Sequence, residues 1–275
     1  MERQKRIAVV NDITGFGRCS VTVELPLISA LKVQACPFPT AILSVHTQFP
    51  SYFIDDYTDR MRPYMESWKA NGLTFDGILT GFIGSAAQIG IVSDFIEMFR
   101  TGETMVMVDP AMGDDGALYP SYTDEMRRAM RRLLRYADVV TPNLTEACGL
   151  LDMPYPEGGA VSDEALFRMA EALSEQGPPQ VVITGLCRGE KMANFIYERG
   201  KEPEFLRVKR IGADRPGTGD AFAAIAAAAL VRGEPLPQAV KKAADFISRV
   251  LTHMEGQNVP WPWGLAFEEF LTELK

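Results

Sequence analysis

Short, almost continuously apolar segments alternate along most of the chain with longer segments whose apolar residues recur at helical spacing. Continuous apolar runs are typical of strands that are covered on both faces. The predicted strands are Ile7–Val10, Gly77–Thr80, Thr104–Val108, Asp138–Thr141 and Val181–Thr184. The pattern therefore predicts a central sheet with helices on both faces.

The segments between these strands predict helices. They are Val21–Leu31, Tyr57–Ala70, Ala86–Arg100, Asp124–Tyr136, Asp163–Glu175, Ala221–Leu230 and Leu236–His253. Ser20 and Ser162 directly precede two of these helices and are predicted to cap them. Asn194–Tyr197 and Phe205–Arg210 flank a charged turn and predict an antiparallel hairpin. The alternation indicates an α/β fold with a doubly wound, mostly parallel sheet, and we expect a single domain over residues 1–275.

The balance of charge narrows the classes of partner. Asp and Glu number 36 against 28 Lys and Arg, which gives a formal net charge of −8. Proteins that bind nucleic acid usually carry a basic field, so we expect no nucleic-acid partner. Two histidines argue against a zinc site built on His, and four cysteines without a Cys-x-x-Cys pair favour a reduced, cytoplasmic protein. No apolar stretch reaches the roughly 20 residues of a membrane helix, so no membrane partner is expected.

Candidate chemistry lies directly after the predicted strands, where open α/β sheets bind their ligands. Because the carboxyl ends of parallel strands meet at one edge, the residues at these positions are predicted to line a continuous rim. They are Asn11 with Asp12, Gly81 with Phe82, Asp109 with Pro110, Pro142-Asn143-Leu144-Thr145-Glu146, and Thr184 with Gly185.

The most specific segment is Arg215-Pro216-Gly217-Thr218-Gly219-Asp220, which leads directly into an alanine-rich helix. Its glycines allow a ligand to approach the backbone closely, and the free N–H groups of a helix start attract an anion. A carboxylate at that place, here Asp220, can take the proton of a hydroxyl that attacks a phosphoryl group. An ordinary glycine turn with a helix-start aspartate fits the same residues equally well.

Asp109 and Glu146 are candidate Mg²⁺ residues, since Mg²⁺ is held through one or two carboxylates together with substrate phosphates. Taken singly, Asp109 also fits a turn residue before proline, and Asn143 with Glu146 fits a helix capping box. Thr47 and Gln48 carry polar side chains suited to a heteroaromatic substrate. The adjacent His46 also fits a hydrogen-bonded core residue.

Several motifs occur in the order typical of one enzyme superfamily. They are Asp109-Pro110-Ala111-Met112-Gly113, Pro142-Asn143-Leu144-Thr145-Glu146 and Gly217-Thr218-Gly219-Asp220. With His46-Thr47-Gln48 and the aromatic Phe82, the chain resembles the pyridoxal kinases of the ribokinase superfamily over nearly its whole length. The resemblance implies a ribokinase-like fold without a large lid domain, and ATP-dependent phosphorylation of the 5′-hydroxymethyl group of pyridoxal, pyridoxamine or pyridoxine. It also implies Mg²⁺, a monovalent cation such as K⁺, and a homodimer.

The resemblance also implies roles for individual residues. Asp220 is the expected base, and Gly217, Thr218 and Gly219 form the expected anion hole. The expected ATP-binding residues are Asp109, Asn143, Glu146, Thr184 and Gly185, of which Asp109 and Glu146 support the metal. Asn11, Thr47, Gln48 and Phe82 are expected to contact the substrate ring. Phe82 stands where the family usually has Tyr, and Thr184 where this branch often has Lys.

Two alternative functions stay open. A hydroxymethylpyrimidine kinase of thiamine synthesis is the nearest, because Asp12-Ile13-Thr14-Gly15-Phe16-Gly17-Arg18 is similar to that branch. Its members typically carry Cys in place of Asp220, so Asp220 favours a pyridoxal kinase. The second is a non-catalytic B6 carrier, which has no need of a base at that position.

Overall fold

The computed structural model describes residues 3–119, 122–212 and 215–274. Within this part of the chain, nine strands form one sheet in the order β11-β10-β9-β8-β5-β4-β1-β2-β3, and β6 pairs with β7 in a separate hairpin. The strands are β1 (Arg6–Phe16), β2 (Gln34–Val45), β3 (Ile54–Asp56), β4 (Gly77–Thr80), β5 (Met105–Val108), β6 (Gly113–Asp114), β7 (Ala117–Leu118), β8 (Val139–Val140), β9 (Gln180–Arg188), β10 (Lys191–Glu198) and β11 (Glu204–Lys209). Strands β2, β1, β4, β5, β8 and β9 are parallel, whereas β3, β10 and β11 join antiparallel at the two edges.

Eight α-helices cover the sheet in the described part of the chain. They are α1 (Val21–Ala30), α2 (Thr58–Ala70), α3 (Ala86–Phe99), α4 (Asp124–Leu133), α5 (Leu144–Leu151), α6 (Asp163–Glu175), α7 (Thr218–Val231) and α8 (Leu236–Met254). Alternate strand residues point to opposite faces, so Ile78 packs with α2 to α6 while Leu79 packs with α1, α7 and α8. No helix in these ranges is long and apolar enough to cross a membrane.

The predicted elements are recovered with a few differences in extent. Strand β9 continues past Thr184 to Arg188, and α4 ends at Leu133, followed by a 3-10 turn over Leu134–Tyr136. The cap prediction is confirmed for Ser162, whose Oγ accepts a hydrogen bond from the backbone N–H of Ala165. It is wrong for Ser20, whose Oγ donates to Asp12 at 2.6 Å and makes no cap bond.

Strands β2 and β3 are absent from the sequence prediction. Strand β2 contains Pro37 and Pro39, and proline within a segment normally argues against a strand. Strand β3 pairs with β2 only from Ala41 to Leu43. The proline-containing half of β2 is therefore the open edge of the sheet, where a missing N–H breaks no ladder bond.

Candidate active site

The active-site rim is built from one row of residues across the sheet. Val10, Thr80 and Val108 are in register on neighbouring strands. The next residues, Asn11, Gly81 and Asp109, follow this row and therefore face α1 and α7. Backbone bonds keep the row together: Gly81 N–H donates to Val10 and Asp109 N–H donates to Thr80. The predicted rim is thus a direct consequence of strand register.

Asp220 lies in the first turn of α7 and reaches this row. The Nδ2 group of Asn11 donates to Asp220 Oδ1 at 3.2 Å, and the backbone N–H of Ser20 also bonds to the Asp220 carboxyl. Burial among protein atoms raises the pKa of Asp220 above its ordinary value, and these hydrogen bonds oppose that shift. The carboxyl is therefore held in place and is a stronger base than an exposed aspartate.

The start of α7 presents backbone donors beside Asp220. Gly217 is the N-cap residue, has φ +81°, and makes no side-chain cap bond. An added Cβ at Gly217 would lie 1.9 Å from the Arg18 carbonyl oxygen, so only glycine fits here. The Thr218 N–H bonds to the Arg215 carbonyl. The first N–H groups of a helix have no intrahelical acceptor, so Gly219 can offer its N–H to an anion.

Asp109 is half-buried at the end of β5, and Thr141 Oγ1 donates to its Oδ1 at 3.0 Å. Burial is the main cause that raises the pKa of Asp109, and the charge of Asp220 adds to it. In the described ranges, no group of three or more His, Cys, Asp and Glu side chains is placed to hold a metal ion. A site completed by substrate phosphates needs only one or two carboxylates, so Asp109 fits a Mg²⁺ site of that kind.

Asn143 and Glu146 form the capping box of α5. Asn143 Oδ1 accepts from the Glu146 N–H at 2.9 Å, and Glu146 Oε2 accepts from the Asn143 N–H at 2.8 Å. Glu146 Oε1 accepts a third bond from the Met112 N–H, and Asn143 Nδ2 donates to the Gly113 carbonyl. Each Glu146 oxygen thus accepts from a backbone donor, and these bonds fix the Met112–Gly113 segment against the start of α5.

The remaining predicted residues lie within β9 and directly after β2 and β4. Thr184 lies within β9, where its N–H donates to the Pro142 carbonyl, and Gly185 has φ +68°. Thr47 and Gln48 are exposed in the turn after β2, while Phe82 is half-buried after β4. His46 is a hydrogen-bonded structural residue, because its Nε2 contacts the Pro262 carbonyl oxygen at 2.6 Å.

Two buried acids lie beside the centre: Asp12, which the sequence places on the rim without a role, and Glu24, which is missing from the sequence prediction. Glu24 Oε2 accepts from Asn11 Nδ2 at 3.0 Å, and Asp12 accepts from Ser20 and Thr14. Desolvation raises the pKa of Asp12 to about 6. The available signal for Glu24 was its place as the one charged residue within Val21–Leu31. An acid on the apolar face of a helix indicates a specific partner.

The sequence and structure were compared with known proteins. The model of the family described as "Phosphomethylpyrimidine kinase" matches residues 24–259. A hydroxymethylpyrimidine/phosphomethylpyrimidine kinase of Haemophilus influenzae is 32% identical over 178 residues, which cover 63% of this chain and 64% of that protein, just under two thirds of its length. A pyridoxine/pyridoxal/pyridoxamine kinase of Bordetella avium is 29% identical over 246 residues, which cover 86% of this chain and 81% of that one.

A solved structure from Bacteroides thetaiotaomicron extends this similarity to almost the whole molecule. It belongs to a protein described as a candidate phosphomethylpyrimidine kinase, in a crystal form with pyridoxal. The two chains are 39% identical and superpose with a TM-score of 0.95, covering 99% of this chain and 96% of the other. The relatives thus divide between two kinds of substrate, a pyrimidine and a B6 vitamer.

Proposed function

Because the chain belongs to the phosphomethylpyrimidine kinase family, we propose that it transfers the γ-phosphoryl group of ATP to the 5′-hydroxymethyl group of pyridoxal, pyridoxamine or pyridoxine. The observation that carries this proposal is the Asp220 carboxyl at the start of α7, beside backbone N–H groups that suit a phosphate. The preference for a B6 vitamer is supported by Asp, rather than Cys, at position 220, and by the pyridoxal in the structure of the 39% identical relative.

In this reaction Asp220 accepts the proton of the substrate hydroxyl as the phosphoryl group moves onto it. The N–H groups at the start of α7, among them that of Gly219, stabilise the negative charge on the transferred group. Thr184 and Gly185 lie beside the start of α5 through the Asn143–Thr184 bridge and are proposed to contact the ATP phosphates. Thr47, Gln48 and Phe82 are the proposed ring contacts.

Mg²⁺ is part of the proposal, and Asp109 is the residue proposed to hold it. When bound, the ion neutralises charge on the phosphate oxygens of ATP. Glu146 is proposed to support the metal region; its carboxylate accepts backbone hydrogen bonds from Met112 and Asn143, which fix its position. A monovalent cation and a homodimer remain predictions of the resemblance.

A hydroxymethylpyrimidine kinase is the second candidate, because the family description and the relative from Haemophilus influenzae both name a pyrimidine substrate. Steady-state kinetics with Mg-ATP separate the two candidates when the three B6 vitamers and hydroxymethylpyrimidine are compared. We expect a higher kcat/KM for at least one vitamer. Turnover of hydroxymethylpyrimidine alone would overturn the B6 assignment.

Asp220→Asn tests the base in the same assay. Loss of a general base lowers rates by about 10²- to 10⁴-fold, so we expect kcat to fall by that amount while vitamer affinity, measured by calorimetry, is kept. Asp245→Asn is the matched control, because Asp245 pairs with Lys241 on the surface of α8. Unchanged kcat in Asp220→Asn would exclude this role, whereas vitamer binding without turnover by the unmodified chain would favour a carrier.

A further inference from the structure

Glu24 is a buried acid to which the proposed chemistry gives no task. It lies in the first turn of α1 and is 1% exposed. Within residues 3–119, 122–212 and 215–274, no Lys or Arg forms an ion pair with it. Its hydrogen-bond partner is the side-chain amide of Asn11. Burying a carboxyl without a cation costs free energy. The hydrogen bond from Asn11 is therefore the contact that can explain why Glu24 is buried here.

The Asn11 amide has one orientation only. Its Oδ1 accepts from the backbone N–H groups of Asp12 and Phe82, both at 2.9 Å. Backbone N–H groups can only donate, so the oxygen must face them and the NH₂ group must face the two carboxyls. One hydrogen reaches Glu24 Oε2 at 3.0 Å and the other reaches Asp220 Oδ1 at 3.2 Å. Asn11 thus links Glu24 to Asp220.

The space around the amide is closed on one side by Gly81. A Cβ added there would lie 2.3 Å from Asn11 Nδ2, which is far inside contact distance. Asn11 is itself completely buried. The amide is therefore held by its hydrogen bonds and by packing, and it is better placed to orient Asp220 than to contact a substrate ring.

The charges that face Glu24 come from three other elements: Asp220 on α7, Asp12 on β1, and Asp109 after β5. Burial and these three carboxyls raise the pKa of Glu24 well above its ordinary value. The Glu24 carboxyl nevertheless accepts from the Asn11 amide at 3.0 Å, and this contact anchors the amide.

We propose that Glu24 is a positioning residue for Asp220: by accepting one hydrogen of the Asn11 amide, it aims the other at the Asp220 carboxyl. Glu24 touches neither substrate nor ATP in this proposal. The inference rests on the proposed function, since the direction of the Asp220 carboxyl matters for catalysis only where Asp220 accepts the hydroxyl proton.

Glu24→Leu, Glu24→Gln and Ile28→Val test the proposal. Leucine offers no acceptor, so Asn11 loses its anchor and kcat falls about tenfold to a hundredfold, while KM for ATP stays within about twofold. Glutamine still accepts from Asn11 and restores kcat to within about threefold of the unmodified chain. Ile28→Val, one turn further along the same buried face of α1, is the control for packing and keeps wild-type kcat. Wild-type kcat in Glu24→Leu, or equal loss in both Glu24 variants, would overturn the proposal.

A double-mutant cycle with Asn11→Ala separates positioning from loss of stability. If Glu24 acts through Asn11, Glu24→Leu lowers kcat no further once Asn11 is alanine. Additive effects of the two substitutions on kcat would mean that Glu24 acts by another route and would refute the proposal. Thermal melts of all four proteins show the folded fraction to which kcat is referred.

The substrate panel keeps this test independent of the proposed vitamer. The variants are assayed with whichever substrate the unmodified chain phosphorylates, so a pyrimidine preference leaves the Glu24 test intact. If the unmodified chain phosphorylates none, the proposed function fails, and crystal structures of the variants decide the geometry alone. Asn11 Nδ2 is then expected to leave Asp220 Oδ1 in Glu24→Leu and to stay in Glu24→Gln. An Asn11–Asp220 bond kept in Glu24→Leu would contradict the inference.

Discussion

Asp12 shows how far a single residue can depart from its ordinary chemistry in this fold. Its carboxyl is buried beside Asp220, and it accepts hydrogen bonds from Ser20 Oγ at 2.6 Å and Thr14 Oγ1 at 2.7 Å. The hydroxyl donors lower its pKa, but burial has the larger effect and raises the pKa to about 6. Asp12 is therefore protonated in the folded chain at a pH where the unfolded chain ionises it.

This difference predicts that stability falls as pH rises. A group whose pKa is raised on folding stabilises the folded state at low pH, and this contribution is lost between the unfolded value of 3.8 and about 6. For Asp12 the loss is about 3 kcal/mol at most, since one pKa unit corresponds to about 1.4 kcal/mol. We expect the melting temperature to drop between pH 4.5 and pH 7, measured by calorimetry.

Asp12→Asn isolates the contribution of this residue, because asparagine keeps the shape and cannot ionise. Its melting temperature is expected to fall less over the same pH range. The matched control is Asp55→Asn on the exposed strand β3, which is expected to keep the wild-type slope. An unchanged slope in Asp12→Asn would assign the pH dependence to other carboxyls.

At the scale of elements, the start of α5 both stabilises the helix and holds a segment of the candidate site. Its capping box satisfies the first N–H groups of the helix and at the same time fixes the Met112–Gly113 segment, which follows Asp109. Helix α6 has a similar side-chain cap at Ser162, but that cap lies outside the site. The two helices therefore offer a comparison between a cap that shapes the site and one that only stabilises a helix.

Asn143→Ala and Ser162→Ala are expected to lower the free energy of unfolding by similar amounts, about 1 kcal/mol each. Only Asn143→Ala is expected to raise KM for ATP, because it also releases the carbonyl of Gly113, which follows Asp109 by four residues. Chemical denaturation and steady-state kinetics measure the two effects. An equal rise in KM for both variants would mean that loss of stability alone explains it.

At the scale of the whole molecule, the C-terminal segment connects two loops of the site. Arg18, between β1 and α1, donates from its backbone N–H to the Trp263 carbonyl, and Arg215, before α7, donates from its guanidinium to Val259. Gly264 forms a bridge with Arg18, and an added Cβ there would lie 2.7 Å from the Arg18 carbonyl oxygen. The last part of the chain thus sets the distance between the loop that carries Ser20 and the loop that carries Gly217.

Gly264→Ala tests this connection, and Gly256→Ala is its matched control. Both glycines have positive φ, +77° and +84°, so alanine strains the backbone at either position. A Cβ at Gly256 would meet nothing within 4 Å. We expect both variants to melt earlier, but only Gly264→Ala to lower kcat, by about tenfold or more. Similar kcat in the two variants would show that the contact has no catalytic consequence.

Much of the fold follows from the sequence pattern, although β2 and β3 do not. Gly77–Thr80 and Asp163–Glu175 are confirmed as a strand and a helix with the predicted ends, and the hairpin is confirmed as β10 and β11. The predicted ribokinase-like α/β fold and the resemblance to pyridoxal kinases are also confirmed by the relatives. These features are local, because apolar period, caps and turn residues are written within a few positions of each other.

The sequence by itself determined the motif positions, from Asn11 to Asp220, since each motif follows directly from an apolar run or precedes a helix. The tertiary structure alone decided which of them meet. It joined Asn11 on β1 to Asp220 on α7, brought in Glu24, and buried Asp12 beside them. It also paired the Ser20 hydroxyl with Asp12, where the sequence predicted a cap of α1. The reason is physical: hydrogen bonds between distant segments, and the burial that shifts a carboxyl pKa, depend on packing in three dimensions and leave no periodic trace along the chain.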